Sequence, residues 1–426
     1  MTDRCAKRAV LAALSHEPDF SALGALPRVE SKAGARFLRW LDRSGLALAF
    51  LRQLQKHDVS FQVAASLRFA LCRRQGRNVD RTVDILGEAQ RLCDAFRAQG
   101  VTAVALKGFT LSPDFCDDPC VRHQVDFDFL VAQREVRAAA EVLRSCGYFA
   151  AQLNELAETC FRTPLQHIPS AKDDLYTRQR QRQVDLHTTL WDPCPWLPVE
   201  VPQDCLQHAR ESSTFGLEYL SLSLEDAFVF QVLHTFRHSF RSWVRLSWLF
   251  EIEKCLANHH NDDVLWHRVV ERAGSTRLTR SVFAFVLGLV SRLFRSPIPA
   301  PLWRWSEEGM TLSLRAWLDH FGVDWAVSDW PGNLNNLFLT AEFIPDARLR
   351  RQYWRSRLLP RKEQTTLGSM PATGAHKFLA WQAARIRYVA ARGAMHLKDL
   401  AGLPWQGLRW KRALEASRRL TFGATS

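Results

Sequence analysis

With 426 residues the chain is long enough for two or three domains, and 47% hydrophobic with 24% charged residues is the composition of an ordinary globular protein, so it should fold. The longest uncharged apolar stretch, residues 281–291, is far below the roughly 20 residues that span a bilayer, so no transmembrane segment is expected. The formal charge of +13 is uneven: residues 346–426 hold 17 Lys and Arg against 4 Asp and Glu, which is the whole excess.

From the amino terminus, Lys7 and Arg8 precede a short apolar run at residues 9–14 that leads into His16, Glu17, Pro18 and Asp19 without a cleavage site, and this reads as a helix rather than a signal peptide. Residues 35–55 and 58–74 repeat apolar positions at three and four apart and contain no proline, which predicts two core-facing helices. A third helix is expected over 78–99, with Asn78 as its N-cap and Gly100 as its C-cap. The ten cysteines, at 5, 72, 93, 116, 120, 146, 160, 194, 205 and 255, form no C-x-x-C pair, which argues against a zinc ribbon or a disulfide framework and for reduced thiols.

An apolar strand should begin at Val101 and end in a loop opened by Lys107 and Gly108; a second strand carries Asp126, Phe127 and Asp128. Residues two apart on a strand share a face, so both aspartates point one way, roughly 7 Å apart, while Val125, Phe127 and Phe129 point the other. Burying two carboxylates without partners is costly, and a divalent cation is the natural resident. Residues 133–146 read as a helix closed by Gly147, 165–170 as a short strand, and 183–190 as a further strand where Asp185 again lies between apolar neighbours. If that strand lies beside the one bearing Asp126 and Asp128, three carboxylates converge at one sheet edge. Two Mg2+ ions about 4 Å apart could then be shared between them. His187 would share a face with Asp185, to orient it or to touch substrate. Arg122 either pairs with one of the acids or grips a triphosphate.

This constellation resembles the nucleotidyltransferase superfamily typified by DNA polymerase beta and, more closely, the bacterial family described as uncharacterised nucleotidyltransferases. The matching residues are Leu106, Lys107 and Gly108, then Pro113 and Arg122, then Asp126, Asp128, Leu130 and Val131, then Val184, Asp185, Leu186 and His187. A helical segment over 222–252, with Glu225, His234, His238, Trp248 and Glu251, carries it further. The resemblance implies an α+β fold: a small mixed nucleotidyltransferase-type sheet flanked by helices, with helical N-terminal and C-terminal regions. The resemblance covers roughly residues 35–255, with weaker echoes to about 360; together with the composition it divides the chain into a helical region at 1–95, a nucleotidyltransferase core at 96–200, a helical domain at 215–360, and a linker with a basic C-terminal helix and tail at 361–426.

It also implies a chemistry. Asp126, Asp128 and Asp185 would be both metal ligands and catalytic residues, while Lys107, Gly108, Arg122 and His187 would bind a nucleoside triphosphate such as ATP. Mg2+ or Mn2+ would be the cofactor, and a nucleoside monophosphate would pass to an acceptor that the sequence does not choose among small molecule, glycan, peptide, RNA and protein. The other reading is a non-catalytic protein that holds a nucleotide or RNA on the same fold. His234 and His238 stand one helical turn apart, which suits either a buried pair, a nucleotide contact or a metal pair, although no Glu follows His234 to complete H-E-x-x-H.

The carboxyl-terminal half continues helical, with helices expected over 265–272, 276–294, 312–321, 347–358 and 376–397 and a linker at 363–374. Basic residues there interleave with Trp381, Trp405 and Trp410, which suits nucleic acid or an anionic membrane surface, or else a plain solvated basic face. The expected setting is cytoplasmic, with the inner membrane surface as a peripheral contact.

Overall fold

The computed structural model describes residues 2–150, 153, 158–164, 175–176, 181–191, 194, 196–241, 244–328, 334–358 and 375–423. Helices α1 (Asp3–Ala13), α2 (Lys32–Ser44), α3 (Ala47–Lys56) and α4 (Ala65–Ala98) come first. Strands β1 (Val104–Ala105) and β2 (Asp126–Leu130) are followed by α5 (Val136–Ser145), then β3 (Thr159–Arg162), β4 (Gln183–His187), β5 (Arg210–Thr214) and β6 (Leu217–Ser221). The rest is helical: α6 (Leu224–Arg241), α7 (Leu246–Asn258), α8 (Asp263–Ala273), α9 (Arg277–Phe294), α10 (Ala300–Glu307), α11 (Leu312–Trp317), α12 (Val323–Ala326), α13 (Thr340–Phe343), α14 (Ala347–Leu358) and α15 (Ala375–Gly423). This is the mixed α+β architecture expected. Among the described residues no helix is long and apolar enough to cross a membrane, and all ten cysteines are free.

One six-stranded sheet runs in the order β3-β4-β2-β1-β6-β5. The central pairs β2/β4 and β1/β6 are parallel, and β1/β2, β3/β4 and β5/β6 are antiparallel. Alternation along the strands sorts the residues between two cores. Phe127, Phe129, Val184 and Leu186 are buried on one face against Leu92 and Phe96 of α4 and Val136 and Leu143 of α5. Val104, Leu106 and Leu130 point to the other face, where Phe230 of α6 covers them. Each aromatic side chain so buried contributes about 2 kcal/mol, which fixes the register because a one-residue slip would turn the whole set to the wrong side. A larger core joins the amino-terminal helices α1–α4 to α6–α14.

Several elements differ from expectation for identifiable reasons. The two helices expected over 58–74 and 78–99 are one, because Asn78 is not a cap: it is fully buried inside α4, and its Nδ2 donates to the carbonyls of Cys120 and Arg122. Gly76 lies within the same helix, where a Cβ would meet nothing. The strand expected over 165–170 and the linker at 363–374 lie outside the described residues. Strand β3 and the β5–β6 hairpin were not foreseen; the hairpin turns through Phe215 and Gly216 at φ 51° and 81°, a pair suited to a tight turn. The last helix runs on through Pro404 to Gly423, because Leu400, Leu403 and Trp410 pack on the core and the Trp410 ring stacks on Phe338 at 6.0 Å.

Burial leaves one titratable group in α7 under tension. The Glu253 side chain is 2% exposed, its Oε2 lacks a hydrogen bond, and Lys254 Nζ stands 3.8 Å away, too far to donate well. Burial pushes its carboxyl up to about 7, with Lys254 only partly opposing. The folded state therefore keeps a proton that the unfolded chain releases near pH 4.5. Stability from this group is present below that pH and is lost as pH rises to about 7. Replacing Glu253 with Gln should raise unfolding free energy at pH 8 by about 2 kcal/mol and leave it nearly unchanged at pH 4. Urea melts at the two pH values check this; equal gains at both would contradict it.

Candidate functional site

Parallel pairing sets Asp128 of β2 directly beside Asp185 of β4, and Leu130 beside His187. With Asp126 two residues before Asp128, three carboxylates project from one face, and one oxygen of each lies within 4.8 Å of the others. They meet on the face of the sheet rather than at its edge, because β3 pairs with the far side of β4. Among the described residues this is the one group of three His, Cys, Asp or Glu side chains with that reach.

The surrounding groups hold the acids unequally. Lys107, just past β1, places Nζ 3.1 Å from Asp128 Oδ1 and 3.9 Å from Asp126 Oδ2. His187 Nε2 lies 3.1 Å from the same Asp128 Oδ1, so it orients Asp128 and not Asp185 as expected. Asp128 Oδ2 is buried with no hydrogen-bond partner. Gln183, two residues before Asp185 and so on its face, directs Nε2 to both carboxylate oxygens at 2.9 Å.

Electrostatics follow from this layout. Burial pushes the Asp128 carboxyl up, but the Lys107 ammonium and the His187 hydrogen bond outweigh it and hold the group below the usual carboxylate range. At Asp185 Lys107 opposes only partly; burial, and then repulsion from Asp128 and Asp126, push it up to about 7. For Lys107 burial disfavours the charge, yet Asp128, Asp126 and Asp185 more than offset it and raise its pKa. His187 is likewise raised by Asp128 against burial. One lysine set among three acids leaves a deficit of positive charge, and an unpaired buried oxygen marks where it is felt. These side chains fit a divalent cation, which takes carboxylate oxygens as ligands.

The family model described as uncharacterised nucleotidyltransferase matches residues 31–295, from the start of α2 to the end of α9 and through the whole sheet. The chain belongs to this uncharacterised nucleotidyltransferase family. Neither a curated protein nor a solved structure matches it.

Within this family member the remaining predicted residues fall in two places. Gly108 holds φ at +82°, where a side chain would be strained, and a Cβ there would stand 2.4 Å from the Gln124 amide. Its absence lets Gln124 Nε2 reach the carbonyl of Asp126 at 2.8 Å and brace the start of β2. Arg122 pairs with neither aspartate of β2: its Nε meets Glu251 Oε1 of α7 at 2.9 Å, in a pair nearly closed to solvent. Glu251 therefore has a partner that the sequence did not supply.

His234 and His238 join Trp248 in a ring cluster, with centroids 4.6 to 4.8 Å apart. Burial, and then Lys107 and His238, hold the His234 imidazole well below its usual pKa, so it is neutral. The two histidines pack against Trp248, and His234 Nε2 is buried with no hydrogen-bond partner. Gln183 and Asn78 are the supporting residues that sequence reasoning passed over. Gln183 was readable from the period of two; Asn78 was masked by its suitability as a cap.

Proposed function

We propose that this protein is a divalent-metal-dependent nucleotidyltransferase that moves a nucleoside monophosphate from a nucleoside triphosphate to an acceptor nucleophile. The observation that carries this reading is the convergence of Asp126, Asp128 and Asp185 with Asp128 Oδ2 left buried and unpaired. Those three side chains would hold Mg2+ or Mn2+, which when bound supplies Lewis-acid charge to the triphosphate and favours the deprotonated acceptor.

The chain's own residues contribute position and charge. Lys107 and His187 fix Asp128 through Oδ1 and leave Oδ2 pointing free of other bonds. Gln183 sets the rotamer of Asp185. The glycine at 108 makes room for the Gln124 side chain that braces the start of β2, and the phenylalanines behind the acids form a dry, rigid wall. In the transfer, the acceptor oxygen forms a bond to the α-phosphorus, the bond from that phosphorus to the bridging oxygen breaks, pyrophosphate leaves with the electron pair, and the acceptor's proton goes to solvent.

The acceptor's class finds support only in charge. Helix α15 exposes Arg387, Lys398, Arg409, Lys411 and Arg412 beside exposed Ile386, Leu397 and Trp405, a face suited to an anionic acceptor or an anionic membrane surface. Calorimetry with nucleoside triphosphates in Mg2+ and in EDTA tests the main reading. Binding should weaken at least about tenfold in EDTA, and pyrophosphate should appear once an acceptor is supplied. Tight RNA binding indifferent to metal, with no pyrophosphate from any triphosphate, would favour the non-catalytic binder instead.

A further inference from the structure

A second hollow lies where α3, the loop of residues 115–122 and α7 meet. It is partly open, with ≈ 580 Å³ of space when the solvent at its mouth is counted. None of the three aspartates lines it. Phe115 and Phe250 are apolar walls, and the Arg122–Glu251 pair lies at its base.

Two features of the lining point to a ligand. The Glu251 residue is 4% exposed, and its Oε2 is buried with no hydrogen-bond partner, although Oε1 is held by Arg122. A buried carboxylate oxygen left unpaired is costly, and a ligand donor would relieve it. The charged lining residues are Arg52, Lys56, Arg122 and Lys254 against Asp117 and Glu251, an excess of two positive charges. Arg52 and Lys56 stand exposed on α3. The positive excess of the lining favours an anion, and a phosphate monoester carries nearly two negative charges at neutral pH where a carboxylate carries one.

We propose that this hollow is a ligand site distinct from the triad, for a small phosphate monoester that also bears a hydroxyl. The phosphate meets Arg52, Lys56 and Lys254, the hydroxyl donates to Glu251 Oε2, and the carbon skeleton lies against Phe115 and Phe250. The site stands whether or not the triad transfers nucleotide.

Titration calorimetry on the full chain, with glycerol 3-phosphate and inorganic phosphate as probes, decides it. Glycerol 3-phosphate should bind about tenfold tighter than inorganic phosphate, since only it carries a hydroxyl on a carbon chain that can reach Glu251 while the phosphate stays on the basic side chains. The double variant Arg52→Ala with Lys56→Ala, both changes on exposed side chains, should bind at least about tenfold more weakly with an unchanged circular dichroism spectrum. Asp128→Asn should bind the probe as the native chain does. Equal affinity for the two probes, no binding at millimolar concentration, or an unaffected double variant would overturn the proposal. So would loss of binding in Asp128→Asn, which would put the phosphate at the triad.

Discussion

Asp128→Asn should lower nucleotidyl transfer by at least about a thousandfold while the protein stays folded. Asparagine is close to the same size and keeps an oxygen to accept from Lys107 and His187, so the local bonds at Oδ1 survive. What vanishes is the charge, and with it the anionic oxygen at Oδ2 that no protein donor engages. Lys107 still has Asp126 at 3.9 Å, which limits the loss of folding stability. Pyrophosphate release in Mg2+ and a thermal melt, measured together, check both halves. A well-folded variant that works at the native rate would remove Asp128 from the reaction and the proposed mechanism with it.

Asn78→Ala should cost about 2 to 3 kcal/mol of stability, because it removes the donor to two part-buried carbonyls at once and leaves a void beside α4. Those carbonyls belong to Cys120 and Arg122, so the same change should also loosen the loop that aims Arg122 at Glu251. Chemical denaturation gives the first quantity. Amide exchange gives the second: protection should fall over residues 119–122 more than in β2. A loss below about 1 kcal/mol would mean that solvent satisfies the two carbonyls, and the tether would not be structural.

The part of the site that was readable before the structure is the part governed by a strict local period. Alternation assigned Asp126, Asp128 and Asp185 to a face opposite Phe127, Phe129 and Leu186, and the strands have that alternation. Pairing of β2 with β4 was a condition that no local signal could supply, since 52 residues lie between Leu130 and Gln183. Partners across long separations were misjudged for the same reason. Arg122 found Glu251, 129 positions away, rather than a nearby acid. His187 found Asp128 across the strand rather than Asp185 along its own.

Helix limits failed where tertiary contacts overrode local preference. Asn78 has the chemistry of a cap but spends it on a loop, and Pro404 ought to end a helix but lies within one whose Leu400, Leu403 and Trp410 are already docked. The hairpin of β5 and β6 was missed because its buried positions, Leu217, Tyr219 and Ser221, are few and include a serine.

The lysine at position 107 gives the three carboxylates a tethered counter-ion. Part of the cluster's charge balance is thus covalently attached to the backbone rather than drawn from solution, so the strands that carry the acids keep some of their compensation whatever the ionic composition around them.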